Sequence, residues 1–451
     1  MTDATRTLAA YAAGLRLETV PPPVVARAER LILDFAGCVA RGGAEADSSP
    51  VLRRVLVTAG LDGDGPCRVI GDARGHGTAA AAFLTAAFGH ALDFDDTHAA
   101  ASLHPSAPVV SAALAAAGAS PVRGADLVAG IIAGYEVTCR LGLALDPTQL
   151  YARGFHPTAI AGVFGAAAAA GRVLGLSPEA MVCAFGIAGS AAAGSMQFIV
   201  NGAWTKRFQV GACAKNGLLA ALFAADGFSG SVAAIEGVHG LLKGYSDGAD
   251  PERAVRGLGT DYETLRIGLK PYPNCRYIHA PLAGLAALRA QHGLRAQDII
   301  GVRIGMHPNG IALTGTPIAE KRRPRTVIDG QFSMPFTAAV MLDQGSFRWE
   351  DHARLGEPAL DALCDRIDVV PDSRVENRPH PFGATLRIET RSGIIEAFVS
   401  DPPWDPDSFP DDAALTAKFS ALAGPVLGAD ETHRLAGTIL SLSRAPVARL
   451  A

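Results

Sequence analysis

The sequence predicts a mainly α-helical protein with an inserted α+β domain. An all-helical domain is expected from both chain ends, residues 1–264 and 401–451, with a smaller lid domain from residues 265–400. Three observations point there. Apolar residues recur at helical spacing from the N-terminus to about residue 260. The pattern turns strand-like beyond Leu265 and helical again after Pro402. The chain has 451 residues, too many for one ordinary core.

Composition fits that reading. Hydrophobic residues make up 49% and aromatics only 6%, so alanine and glycine carry much of the apolar share. Such a chain fills its core by bringing helix backbones close together. The helical stretches span residues 8–15, 24–39, 77–92, 109–117, 125–145, 159–174, 178–196, 212–224 and 231–242. Pro and Gly punctuate them, and Ser177-Pro178 reads as an N-cap followed by proline at the first helical position. In the middle block, residues 299–304 alternate as a strand does and 367–370 form a short β-like run. Residues 384–400 read as a hairpin turning at Arg391-Ser392-Gly393. Helical patterning marks 280–292 and 331–342. A cleft between the two domains is the default ligand site.

Several function classes are disfavoured. The net charge is -4 and no basic stripe is present, so nucleic acid is not an expected partner. The N-terminus lacks a secretory pattern, and the most apolar stretch, 156–200, is interrupted by Arg172, Pro178 and Glu179. A cytoplasmic protein without membrane partners is expected. The seven cysteines are scattered with no CxxC pair, which predicts reduced thiols and neither a zinc ribbon nor a disulfide framework.

Four segments look chemical. HALDFDDTH (90–98) followed by HPS (104–106) gathers aspartates, a threonine and histidines beside an Ala-rich helix. Its plain reading is a helix end or Asx turn, its sharper one a metal site, and neither HExxH nor EF-hand spacing supports the metal. YARGFHPT (151–158) opens a long apolar helix whose N-terminus suits a carboxylate, unless it is simply a Pro-initiated start. WTKRF (204–208) brings Lys206 and Arg207 to the start of a small-residue helix, as a carboxylate clamp or a solvated face. KPYPNCRYIH (270–279) combines two stiffening prolines with Lys270, Arg276 and His279, as a site or an interdomain linker. Two weaker runs complete the survey. GLDGDG (60–65) lacks nucleotide-loop spacing and reads as a turn, and KRRPR (321–325) reads as a mobile surface loop or as a guard for an acidic substrate.

ALDFDDT with HPS, GFHPT, TKRF and KPYPNCRYIH, in this order, closely resembles the MmgE/PrpD family, over nearly the whole chain. That family includes 2-methylcitrate dehydratase, cis-aconitate decarboxylase and iminodisuccinate epimerase. The resemblance implies a helical domain built from both chain ends, an inserted α+β lid, a homodimer, and no metal or organic cofactor. It also implies site residues at Asp93, Thr97, His104, His156, Lys206 and Lys270, with His279 nearby.

Chemistry at a carbon beside a carboxylate builds negative charge, so cations must already be in place. Lys206, Arg207 and Lys270 are the expected clamp. His104 and His156 are expected to move protons, with Asp93 orienting one of them. Asp93, His104, His156 and Lys206 are thus the catalytic candidates, and Thr97, Arg207, Lys270 and His279 the substrate-binding ones. The expected activity is a cofactor-independent lyase abstracting an α-proton from a small di- or tricarboxylate, first as a 2-methylcitrate dehydratase-like hydro-lyase. An epimerase or a cis-aconitate-type decarboxylase is the alternative within the family. Outside it stand a metal-dependent hydrolase using Asp93, Asp95 and His98, and a non-catalytic binding protein. Aconitase-type iron–sulfur chemistry is disfavoured by the cysteine spacing.

Overall fold

The computed structural model describes residues 3–119, 121–377, 381–447 and 450. It is mainly helical, with one four-stranded sheet and two very short strand pairs. The chain divides into two compact units. The first holds Met1–Ala91, Asp95–Leu269 and Pro410–Ala451, and the second holds Leu92–Phe94 and Lys270–Phe409.

In the first unit, helices Gly124–Ala144 and Pro157–Val173 form the centre, because small residues let their backbones approach. A Cβ added to Gly165 would fall 1.7 Å from Thr138 Oγ1 and 2.8 Å from the Gly134 carbonyl. Helix Ser106–Gly118 packs on both, Thr205–Ala225 packs on Pro157–Val173, and Thr78–Gly89 lies on Ser106–Gly118 and Thr205–Ala225. Helix Asp412–Leu427, from the C-terminal part of the chain, lies on Pro22–Glu45, where buried Lys418 meets buried Asp34 at 2.7 Å. The expected cap is present, with Ser177 accepting from the Ala180 amide and Pro178 following it. Helix Gly124–Ala144 is long and apolar enough to cross a membrane, but its apolar window is entirely buried against protein. Helix Thr205–Ala225 also passes that test and is half buried.

In the second unit, strand Ile299–Met306 pairs in parallel with Ile367–Pro371 and antiparallel with Ala384–Thr390. The hairpin closes onto Gly393–Val399, in register from Ala384↔Val399 to Thr390↔Gly393. Helices His279–His292 and Met334–Gln344 share its core, with Leu282, Leu285 and Val340 meeting Val302, Ile304 and Leu386.

Three local expectations need correction. Residues 231–242 form turns, with helix only at Leu241–Tyr245, because the Leu241 and Leu242 amides reach back to the Ala234 and Ile235 carbonyls. The stretch expected as helix through Leu92 ends at Gly89. Leu92 and Asp93 instead join the second unit, their carbonyls accepting from Gln331 Nε2 at 2.6 Å and Lys270 Nζ at 2.9 Å. The basic run 321–325 is pinned rather than loose, since Arg322 donates to Ile367 O and Asp368, and Arg323 pairs with Asp365 at 2.7 Å.

Candidate active site

Three histidines meet in the first unit. Helix Thr78–Gly89 ends just before His90, whose Nδ1 lies 2.7 Å from Asp95 Oδ2, both side chains being fully buried. The His104 ring packs edge-on to His90 at 4.9 Å, and the His156 ring stacks on it at 6.0 Å. His104 keeps 16% of its side chain exposed. Its Nδ1 sits 2.8 Å from the Asp96 carbonyl and 3.6 Å from Asp95 Oδ1. A carbonyl only accepts, so His104 carries its proton on Nδ1 and leaves Nε2 as the basic atom when neutral.

Local structure fixes each ring. Asp96 accepts from the Ser106 amide at 3.2 Å and the Ser106 hydroxyl at 2.7 Å, where helix Ser106–Gly118 begins. Ser106 Oγ also meets Tyr135 OH at 2.7 Å, which anchors the turn to helix Gly124–Ala144. Burial, and then the neighbouring Asp95, push the Asp96 carboxyl well above the usual carboxylate range. The Thr158 hydroxyl accepts from the His104 amide at 3.1 Å, and His156 stands at the N-cap of Pro157–Val173.

Asp95 is therefore the carboxylate set beside the histidines. The sequence analysis expects that role of Asp93, names Asp95 only in the metal-dependent hydrolase alternative, and gives His90 no role. Asp93 belongs to the second unit, where its Oδ1 lies 3.3 Å from Lys270 Nζ, and both side chains are buried. His279 is fully buried in the same unit. Its Nε2 donates to the Asn274 carbonyl at 3.1 Å, and its Nδ1 accepts from Arg276 at 3.2 Å. Burial first, then the Arg276 and Lys270 charges, hold its pKa well below the ordinary value. His279 thus acts as a neutral brace for the 270–279 segment, with both ring nitrogens on protein groups. Cys275 is buried there too.

The remaining candidates spread out. Lys206 is half-buried in the first turn of Thr205–Ala225. Arg207 turns inward and donates to Ser48 Oγ at 2.8 Å, an internal contact rather than an outward clamp. Thr97 pairs in a two-residue ladder with Gly268, and its buried Oγ1 has no hydrogen-bond partner among the described residues. His98 donates to Glu263 at 2.9 Å and bonds the Ala101 amide, which makes it structural.

His90, Asp95 and His104 offer ligand atoms within 4.8 Å of one another, close enough to consider a cation. The Nδ1 atoms of both histidines are already engaged, so the Nε2 atoms are the ones an ion would meet. His90 Nδ1 lies 2.7 Å from Asp95 Oδ2, a hydrogen bond that fixes the ring. His104 Nδ1 is likewise held by a carbonyl.

Comparison with known proteins decides the family. The MmgE/PrpD N-terminal domain model matches residues 6–254, and the C-terminal domain model matches residues 272–443. The chain belongs to the MmgE/PrpD family. It is 29% identical to the cis-aconitate decarboxylase-like protein oryM of Aspergillus oryzae, over 98% of this chain and 94% of that one. Identity to the cis-aconitate decarboxylase of Aspergillus terreus is 30%, over 96% and 92% of the two chains. The human cis-aconitate decarboxylase is 30% identical over 64% of this chain and 60% of its own. This MmgE/PrpD member is accordingly an enzyme of the lyase or isomerase type.

Proposed function

We propose that this chain is a metal- and cofactor-independent lyase that decarboxylates a small unsaturated tricarboxylate of the cis-aconitate type. The observation that carries the reading is the buried His90–Asp95 pair set against His104 and His156. Decarboxylation breaks a carbon–carbon bond, leaves its electrons on carbon and puts a proton where carbon dioxide departs. It needs an acid held close and cations for the remaining carboxylates. His104 and His156 are proposed as the proton-transfer groups, and Lys206 and Lys270 as carboxylate-binding cations.

Two relatives that match over most of the chain are named a cis-aconitate decarboxylase and a cis-aconitate decarboxylase-like protein, which supports this activity over the dehydration that the sequence alone puts first. Dehydration of 2-methylcitrate would use the same groups differently, one histidine removing a proton and the other protonating the departing hydroxyl. The test is a screen of purified protein with cis-aconitate, 2-methylcitrate, citrate and malate, following carbon dioxide and new double bonds. Carbon dioxide from cis-aconitate supports the proposal. Water loss from 2-methylcitrate without carbon dioxide from cis-aconitate would replace it with the dehydratase reading.

A further inference from the structure

The proton chemistry proposed above requires each histidine to present a defined ring nitrogen, and this inference rests on that reading. His156 exposes only 3% of its surface, and its Nδ1 lies 3.2 Å from Gln209 Oε1. The Gln209 amide nitrogen donates to the Ser195 carbonyl at 2.8 Å. Because a carbonyl only accepts, the amide NH₂ must face Ser195 and the amide oxygen must face His156. A flipped amide would set two oxygens against each other. The oxygen on His156 can only accept, so Nδ1 must carry the ring proton. We propose that Gln209 is a positioning residue that locks His156 in its Nδ1–H tautomer and so selects Nε2 as the atom that exchanges protons with substrate.

A small scaffold holds this contact. The Gly194 carbonyl accepts from the His156 amide at 3.0 Å, and Phe155 forms a bridge with Ser195. A Cβ on Gly194 would stand 2.7 Å from Ala159 Cβ and 3.1 Å from Gln209 Oε1. Only glycine allows the segment to lie against both partners without displacing one. The groups facing His156 can be named. His90 stacks on its ring, with Asp95 and His104 beyond, and Phe198 packs edge-on at 5.7 Å. On the helix of Gln209, Lys206 and Arg207 precede it, and Arg207 is turned onto Ser48. Gln209 is thus a neutral acceptor where a carboxylate would have added charge. It orients the ring without tightening its hold on a second proton, which suits a group that must release that proton near neutral pH.

Nitrogen-15 NMR of histidine-labelled full-length protein reads the tautomer directly. The wild type should show His156 protonated on Nδ1, and Gln209→Leu should lose that single tautomer. With turnover measured, Gln209→Leu should lower kcat about 10- to 100-fold with KM within about twofold. Gln209→Glu should keep the tautomer and raise the histidine-dependent pH limb by about one unit, because a carboxylate favours imidazolium. Gly194→Ala, with Gln209 intact, should loosen the same tautomer. A Gln209→Leu protein that kept a single Nδ1–H signal, or a Gln209→Glu protein with an unmoved pH limb, would overturn the assignment. Absence of turnover on every acid would count against the proposed function, while the NMR tautomer would still decide the role of Gln209.

Discussion

His104 and His156 differ in their surroundings, and that difference makes their roles separable. His104 is the more exposed, with Nδ1 on a backbone carbonyl and Asp95 nearby, while His156 is buried at a helix start against His90. Replacing either with alanine is expected to lower kcat by about 10²–10⁴ and to flatten one limb of the pH profile. Lys206→Ala is expected to lower kcat/KM by about 10²–10³ with both limbs intact, since it removes charge stabilisation and not proton transfer. Steady-state profiles from acid to alkaline pH check this, and histidine variants with wild-type kcat and both limbs would contradict the site. At this scale the sequence showed which residue types gather but not how they pair. His90 and Asp95 stand five residues apart, and their contact depends on a turn in which Asp93 takes a φ of 52°. Gln209 is 53 positions from His156, beyond any local pattern.

Two elements carry stability predictions of opposite kinds. Gly165 lets Pro157–Val173 approach Gly124–Ala144, and a methyl group there would strike Thr138 Oγ1 and the Gly134 backbone. Overpacking of a close helix pair costs about 1–3 kcal/mol, so Gly165→Ala should lower the unfolding free energy by that amount, read as a lower midpoint in chemical unfolding. In the second unit, His352 is buried among Phe336, Phe347 and Trp349, with Nδ1 donating to the Trp349 carbonyl at 3.0 Å. Burial lowers its pKa from 6.5 to about 4, outweighing that hydrogen bond. The unfolded chain therefore binds this proton more readily than the folded one between those values. Stability should fall as pH drops from about 6.5 to about 4, by a few kcal/mol at most from this group. His352→Phe should flatten that part of the stability curve in urea unfolding at stepped pH, and an unchanged slope would contradict it. The regular helices and the hairpin were legible because their spacing is local. Residues 231–242 misled because the apolar spacing is helical while the hydrogen bonds reach back across several residues.

For the whole molecule, the half-buried helix Thr205–Ala225 leaves Phe208 and Phe223 more than half exposed, 54% and 52%. These two rings are candidate contacts for a second copy of the chain. The chain is expected to be a homodimer, read as twice the monomer mass in light scattering at micromolar concentration, and Phe208→Asp should shift it toward monomer. The alternation of helical and mixed blocks was readable because a change of hydrophobic period needs no long-range contact. The exchange of Leu92–Phe94 into the second unit was not, because it depends on hydrogen bonds from Gln331 and Lys270, far along the chain. Proton-for-carboxylate chemistry is the claim on which the function rests, and cis-aconitate in deuterated water tests it most directly. One equivalent of carbon dioxide and one carbon-bound deuterium per product molecule is the predicted result. Unchanged cis-aconitate with no carbon dioxide, under conditions where the folded protein dehydrates or epimerises another acid, would contradict it.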